Sequence, residues 1–366
     1  MSEAKKTILV MAGGTGGHII PGLAVAHELE QAGHRVAWLG GVASSMEARL
    51  VPQHHVAFHS VEFGGVRGKG MATKLLMPLR LLKAVRQARA VMRAVKPDVV
   101  LGMGGYITVP GGLAAKLSGV PIVLHEQNSI AGLSNKLLAK IAVRVLTGFP
   151  NALPDATWLG NPVKTAMAQL PTPEQRFAQR DESSPLNIAV IGGSLGAQVL
   201  NTVVPKALAR LPVATRPHVV HQAGEKMIDA LKANYAAAGV DADCVPFVQD
   251  MAALYGMSDL VICRAGAMTV SELAAAGVAS ILVPFPLAVD DQQTANAQLL
   301  VAAGAGVCVA QTELTEEWLA DALTALNRAD LLKQAQAARS VAKPNAAIEV
   351  AQSCMDVAKK RDKNET

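Results

Sequence analysis

Short apolar runs separated by helix-length segments recur along the chain, and within most runs apolar residues do not alternate with polar ones. A strand covered on both faces need not alternate, so such runs read as buried parallel strands. Residues 7–11, 36–39, 99–102, 122–124 and 145–146 predict five strands in the first half. Residues 187–191, 219–220, 245–248, 260–263, 281–283 and 307–309 predict six in the second. Strands alternating with helices mean an α/β fold: two doubly wound, Rossmann-like domains facing across a cleft at the carboxyl ends of the strands. The polar, Pro-rich stretch 164–186 reads as a linker. It joins an N-terminal domain, 1–163, to a C-terminal domain, 187–340, and a last helix, 341–366, is free to pack back on the first domain.

Both halves repeat one syntax of strand, glycine turn and helix. The strand 7–11 leads into Ala12-Gly13-Gly14-Thr15-Gly16-Gly17-His18 and a helix expected near Pro21, and the strand 187–191 leads into Gly192-Gly193-Ser194-Leu195-Gly196-Ala197 and a helix through Leu208. A third turn, Gly102-Met103-Gly104-Gly105-Tyr106, follows another strand. Neither of the first two is a GxGxxG fingerprint and no GxxxxGK[ST] occurs, so hydride transfer and Walker-type ATP hydrolysis lose support. What remains is a turn that lets backbone N–H groups approach a phosphate, or that simply packs a helix tightly on a strand. Three such turns favour phosphorylated ligands.

The second half adds Arg264-Ala265-Gly266-Ala267, a helix over 268–276 and a stop at Gly277. The open helix N-terminus suits nucleotide phosphates or hydroxyls, and Glu272 can accept hydrogen bonds from a ribose diol. After the strand 280–283, Pro284-Phe285-Pro286 breaks the ladder, and Asp290, Asp291, Gln292, Gln293 and Asn296 offer polar groups to a hydroxyl-rich ligand. His18, at a helix entrance, is a candidate general base, because a helix N-terminus favours the neutral, proton-accepting imidazole. A packing histidine is the alternative. His125-Glu126-Gln127-Asn128 ends another strand, where Asn128 could hold a sugar hydroxyl or belong to a hydrogen-bonded loop core.

Composition narrows the class. With 366 residues, 51 % hydrophobic and 17 % charged, the chain suits two well-packed domains. No run of about 18 apolar residues occurs, and the N-terminus meets a glycine turn before a signal-peptide core is complete, so a cytosolic protein is expected. The four cysteines show no metal spacing and read as structural thiols; no metal or cofactor is called for. The net charge of +5 is uneven: residues 1–164 hold eighteen Lys and Arg against eight Asp and Glu, a net +10, and the remainder carries −5. Nine of the cations fall between Phe63 and Pro97, where no acid occurs. A helix from Pro78 would set Leu81, Val85, Ala88, Met92 and Val95 beside a stripe of Lys83, Arg86, Arg89, Arg93 and Lys96. With Lys74, Leu75, Leu76, Met77, Leu79 and Arg80 before or at its start, this is either a surface that meets anionic lipid or a packed helix with a solvated basic face. Nucleic acid is disfavoured, since aromatics are only 3 %, too few for a stacking platform.

The segments AGGTGGHIIPGLAVAHEL, GMGGYITVPGGLAA, LHEQNSIAGLSNKLLAK, GNPV, GGSLGAQVLN, DMAALYGMSDLVICRAGAMTVSELAAAG and the PFP and DDQQTANA region resemble the MurG family over almost the whole chain. These are UDP-N-acetylglucosamine:N-acetylmuramyl-(pentapeptide) pyrophosphoryl-undecaprenol N-acetylglucosamine transferases. The resemblance implies a GT-B architecture and an inverting transfer of GlcNAc from UDP-GlcNAc to the C4 hydroxyl of the undecaprenyl-diphosphate-linked MurNAc-pentapeptide, lipid I, giving lipid II for peptidoglycan. It implies a peripheral enzyme on the cytoplasmic face of the inner membrane, partnered by an anionic lipid surface. The first domain would bind acceptor and membrane, the second UDP-GlcNAc.

Carried over by position, His18 is the general base, and Thr15, Gly16, Gly17, Gly104, Gly105 and Tyr106 hold the acceptor diphosphate. The donor falls to Asn128, Lys164, Ser194, Val248, Ala267, Met268, Thr269, Val270, Ser271, Glu272 and Gln293, with Thr15, Gly16 and Gly17 also within its reach. Phe247 packs beside the uracil and Gln292 adjoins the sugar. Lys74, Leu75, Leu76, Leu79, Arg80, Lys83 and Arg86 face the membrane. The chain departs from the expected pattern at Lys164, which keeps the charge but lacks the bidentate fork of Arg, and at Ala265 and Leu287. A sugar-nucleotide 2-epimerase, a diacylglycerol glycosyltransferase and a non-catalytic nucleotide-sugar scaffold are the alternatives.

Overall fold

The computed structural model describes residues 4–64, 76–181, 184–193, 196–287 and 289–365, the side chains of 289 and 359–365 excepted. The chain divides into two compact units, Met1–Lys164 with Pro344–Thr366, and Thr165–Lys343.

In the first unit the elements are β1 (Thr7–Ala12), α1 (Gly16–Gln31), β2 (Arg35–Gly40), α2 (Met46–Leu50), β3 (Ala57–Ser60), α3 (Met77–Val95), β4 (Val99–Gly104), α4 (Thr108–Leu117), β5 (Ile122–Glu126), α5 (Leu133–Leu138), β6 (Arg144–Thr147) and β7 (Thr157–Trp158). The parallel sheet runs β3-β2-β1-β4-β5-β6-β7. Chain order reverses between β1 and β4, and the crevice outside the carboxyl ends of the strands opens at such a reversal. Alternate residues of β1 explain its unbroken apolar run. Ile8, Val10 and Ala12 join a core with Val25, Leu29 and, from the C-terminal helix, Val350 and Cys354, whereas Leu9 and Met11 join another with Ala84, Ala88 and Met92 of α3. Each fully buried Leu, Ile or Met contributes about 1.5–3 kcal/mol.

The second unit contains α6 (Thr165–Ala168), α7 (Pro173–Ala178), β8 (Asn187–Ile191), α8 (Gln198–Ala209), β9 (His218–Gln222), α9 (Ile228–Ala238), β10 (Asp243–Val245), α10 (Met251–Met257), β11 (Leu260–Cys263), α11 (Ala267–Ala276), β12 (Ala279–Leu282), α12 (Gln292–Ala302), β13 (Gly306–Cys308), α13 (Glu316–Thr324) and α14 (Arg328–Ser340). Its sheet runs β10-β9-β8-β11-β12-β13, reversing between β8 and β11. The last helix, α15 (Ala346–Glu365), returns to the first unit.

Several expectations change. Helix α1 begins at Gly16, not near Pro21, so His18 stands inside its first turn and Pro21 inside the helix. The stretch 164–186 is no bare linker. Arg176 is buried and donates to the carbonyls of Tyr255 (3.1 Å), Ala276 (2.8 Å) and Gly277, closing the ends of α10 and α11, and Arg180 pairs with the buried Asp259. The strand expected over 245–248 is Asp243–Val245. Strands β3 and β7 were not anticipated: the first is half-exposed at an edge and the second is two residues long, so neither carries an apolar run. All four cysteines are free, and burial pushes their thiols up.

Candidate active site

In the first unit two glycine turns interlock at the reversal between β1 and β4. Thr15 caps α1 in extended conformation without a side-chain cap bond; the His18 N–H turns back to the Thr15 carbonyl (3.1 Å), and no cap side chain covers the N–H groups of Gly16 and Gly17, as an anion site requires. Behind the turn lies a carboxylate that sequence reading did not single out. Glu47 is 0 % exposed; its Oε2 accepts from Gly14 N–H (3.2 Å) and its Oε1 from Gly41 N–H (3.0 Å). It sits on the short helix α2, capped by Ser45, whose Oγ accepts from Ala48 N–H (3.3 Å). Burial, and after it the Glu47 charge, raise the neighbouring Tyr106 phenol above its usual value. Gly105 (φ +88°) leaves no alternative to glycine: a Cβ there would lie 2.1 Å from the Gly13 carbonyl oxygen.

His18 is half-buried, and its Nδ1 lies 2.8 Å from Gln127 Oε1. Gln127 Nε2 lies 3.1 Å from His125 Nδ1, and His125 Nε2 donates to the Gly160 carbonyl at 2.9 Å. His125 is fully buried, and burial lowers its pKa to about 4 against the raising effect of the Gly160 bond. Next to it, Glu126 is caged by Asn128 N–H (2.8 Å) and Nδ2 (3.2 Å), Gly132 N–H (3.1 Å) and Asn135 Nδ2 (2.9 Å). Asn128 is thus placed by the buried carboxylate. Asn161 of the GNPV segment donates to the Gln127 carbonyl (2.9 Å), while Lys164 is exposed at the end of this unit.

The second unit repeats the turn with different backing. Gln222, at the end of β9, accepts from Gly193 N–H (3.1 Å) and donates to the carbonyls of Gly193 (3.0 Å) and Pro246 (3.3 Å). The expected phosphate ligand Ser194 lies outside the described residues. Helix α11 starts after Gly266, extended and without a side-chain cap bond, so its N-terminus also presents N–H groups. Met268, Thr269, Ser271 and Glu272 are half-exposed along α11. Ala267 and Val270 are buried; Val270 is 0 % exposed and its N–H bonds to the Gly266 carbonyl (2.9 Å), so its side chain packs in the core of this unit. Burial, and after it the Glu272 charge, raise the Tyr255 phenol and the Cys263 thiol above their usual values.

Arg264 donates to the carbonyls of Val283 and Pro284 (both 3.1 Å) and to Gln311 Oε1 (2.7 Å), and lies 5.4 Å over the Phe285 ring. Gln293 accepts from Phe285 N–H at 2.9 Å, and Asn296 donates to the Ala265 carbonyl at 3.3 Å. Together they hold the proline segment after β12 against the turn after β11. Phe247, 57 % exposed, and Val248 lie in the loop beyond β10 instead of on a strand.

Helix α3 buries Ala84, Val85, Ala88, Met92 and Val95 against the sheet, as an amphipathic helix should. Its other side exposes Leu79 and Leu82 with Arg80 and Arg86, just after the exposed Leu76. Lys83 departs from the expected free stripe: it is paired with Glu62, one residue before the acid-free stretch. Lys74 and Leu75 lie outside the described residues. Among the described residues no helix is long and apolar enough to cross a membrane, and no three His, Cys, Asp or Glu are grouped to hold a metal. Glu47, Gln127, Gln222 and Arg264 went unassigned because each acts on groups distant in sequence, the imidazole of His18 in the case of Gln127. Gln127 and Arg264 left a trace, each as a polar residue after an apolar run.

Two Rossmann-like units with glycine turns and open helix N-termini at their strand ends are the parts of a GT-B glycosyltransferase. The Glycosyltransferase family 28 N-terminal domain matches residues 8–147 and the family 28 C-terminal domain residues 187–353, and the chain belongs to this family. Among its relatives is the UDP-N-acetylglucosamine–N-acetylmuramyl-(pentapeptide) pyrophosphoryl-undecaprenol N-acetylglucosamine transferase of Cupriavidus metallidurans, 60 % identical over 97 % of this chain and 99 % of that one. The crystal structure of Acinetobacter baumannii MurG is 40 % identical, with a TM-score of 0.83 over 96 % of this chain and 99 % of that one. The calicheamicin glycosyltransferase CalG4, at 16 % identity and a TM-score of 0.68 over 98 % and 99 % of the two chains, shares the fold alone.

Proposed function

We infer that the chain transfers N-acetylglucosamine from UDP-N-acetylglucosamine to the C4 hydroxyl of the undecaprenyl-diphosphate-linked MurNAc-pentapeptide, forming the disaccharide lipid precursor of peptidoglycan. Full-length relatives bearing that activity in their names support the substrate pair. The observation in the molecule that carries the chemistry is His18, half-buried in the first turn of α1 beside two glycine turns, with one ring nitrogen engaged by a buried amide. In an inverting transfer the acceptor oxygen forms a bond to the anomeric carbon as the bond to the UDP oxygen breaks. The acceptor proton goes to His18, and negative charge grows on the departing diphosphate. Backbone N–H groups at the N-termini of α8 and α11 meet that charge, and Glu272 holds the ribose diol. Thr15, Gly16, Gly17, Gly104 and Gly105 cradle the acceptor's own diphosphate, with Tyr106 beside them. Leu76, Leu79 and Leu82, flanked by Arg80 and Arg86, rest on the anionic cytoplasmic face of the inner membrane.

The test is transfer of radiolabelled GlcNAc from UDP-GlcNAc to a soluble analogue of the muramyl lipid, with diacylglycerol as a parallel acceptor and EDTA in a duplicate. Label on the muramyl acceptor alone, unaffected by EDTA, is expected. Label on diacylglycerol, or epimerised sugar without transfer, overturns the acceptor assignment, and loss of label in EDTA overturns metal independence. Flotation with anionic vesicles, weakened by Leu79→Ser, tests the membrane face.

A further inference from the structure

An imidazole has two nitrogens, and a base needs the lone pair on the one that meets the substrate. We propose that Gln127 is a positioning residue: through a chain of hydrogen bonds anchored at the Gly160 carbonyl, it fixes His18 as the tautomer protonated at Nδ1, with the lone pair at Nε2. The proposal rests on the reading of His18 as general base.

The chain can be read from its far end, because the anchor can only accept. His125 Nε2 lies 2.9 Å from the Gly160 carbonyl oxygen, so the His125 proton is on Nε2. His125 is 0 % exposed and neutral at physiological pH, its pKa lowered to about 4 by burial, so its Nδ1 carries a lone pair. The Gln127 atom 3.1 Å from that nitrogen must then be the amide NH2. The same NH2 donates to the His125 carbonyl, also at 3.1 Å, which fixes the amide orientation twice over. Oε1 of Gln127 therefore faces His18 Nδ1 at 2.8 Å, and a carbonyl oxygen only accepts, so the proton of neutral His18 lies on Nδ1. Reversing any one ring or the amide would set donor against donor or lone pair against lone pair inside a buried cluster.

Two further features fit a base. The backbone of Gly104 covers the bond from one side: a Cβ at this φ +101° position would lie 2.7 Å from His18 Nδ1 and 3.3 Å from Gln127 Oε1. The orienting group is also a neutral amide. A carboxylate there would hold the imidazole protonated before substrate arrives, whereas the amide orients the ring and leaves Nε2 able to accept. When Nε2 takes the acceptor proton, the Nδ1–H to Oε1 bond becomes charge-assisted and strengthens as the reaction proceeds.

The first measurement uses wild-type protein with 15N-labelled histidine. Two-bond proton–nitrogen spectra report which ring nitrogen bears hydrogen, and His18→Ala assigns the His18 signals. A pyridine-type Nε2 and pyrrole-type Nδ1 are expected; the reverse overturns the proposal, and this readout needs no activity and no Gln127 variant to fold. The second is kinetic. Gln127→Met should lower kcat about 10–100-fold with the KM for UDP-GlcNAc little changed, and should cost nothing further in a His18→Ala background. An equal loss in both backgrounds makes Gln127 a structural residue and overturns the proposal. Full turnover by His18→Ala removes His18 as the base, and with it the catalytic purpose of the chain, while the spectra still decide the tautomer.

Discussion

Each unit holds a fully buried, neutral histidine on a parallel strand, and the two serve different ends. His125 at the end of β5 hands its hydrogen bond through Gln127 to His18, which reaches the surface beside two glycine turns. His221 on β9, lowered to about 3 by burial, places Nε2 3.0 Å from Asn201 Oδ1 on α8 and Nδ1 3.0 Å from the Tyr235 hydroxyl on α9. The first connects a core to a ligand surface; the second ties two helices to a sheet. Residue type and burial are alike, and what differs is the next polar group along the chain of bonds. The turns differ in the same way. A carboxylate, Glu47, backs the first, and the carboxamide of Gln222 backs the second. A glycine turn after a strand supplies shape, and the side chain behind it decides what chemistry the turn can host.

The sharpest break of this comparison is His18→Ala, which should lower kcat about 10²–10⁴-fold while leaving the KM for UDP-GlcNAc within a few-fold. Steady-state kinetics checks it, and unchanged turnover would take His18 out of the mechanism. Acid comes next. His125 and His221 titrate in the unfolded chain near 6.5 and in the folded chain near 4 and 3, so below 6.5 the unfolded state binds more protons. Stability is therefore full above pH 6.5 and falls as pH drops toward 4, by on the order of 3 kcal/mol for each. Urea midpoints between pH 7 and 4 should show this slope; His221→Gln should flatten it without lowering kcat, and a flat wild-type profile would show that neither histidine is held neutral.

Glu47→Ala should be milder. It strips two backbone N–H groups of their acceptor and should cost about 1–3 kcal/mol in a thermal melt, with a raised KM for the acceptor and not for UDP-GlcNAc. A rise in the donor KM instead would reverse the division of labour between the turns. Gln222→Ala should do least, raising the KM for UDP-GlcNAc about fivefold by loosening Gly193, a loss of about 1 kcal/mol, and leaving the acceptor KM alone.

Most strands were legible in sequence because both faces of each sheet are covered, which forces unbroken apolar runs such as Ile8 to Met11 and Leu260 to Cys263. The edge strand Ala57–Ser60 carries no such pressure and was invisible. The start of α1 was misjudged because Gly16 and Gly17 adopt helical dihedrals as readily as turn dihedrals, and only packing selects. Position along α11 did not reveal that Val270 is buried, because apolar Met268 stays half-exposed on the same helix and residue type alone does not mark the inner face. The segment after Lys164 looked like a linker by its prolines and charges, yet Arg176 is buried at the ends of two helices.

The amino-acid sequence alone determined the α/β class, the three glycine turns, the basic stretch after Phe63 and the family resemblance, because each rests on local pattern or on residue identity at fixed spacing. Tertiary structure decided which nitrogen of His18 faces Gln127, that Glu47 stands behind Gly14 and that Gln222 grips Gly193. Those facts are contacts across 109, 33 and 29 residues of chain, and a hydrogen bond depends on distance and direction in space, which no local pattern encodes.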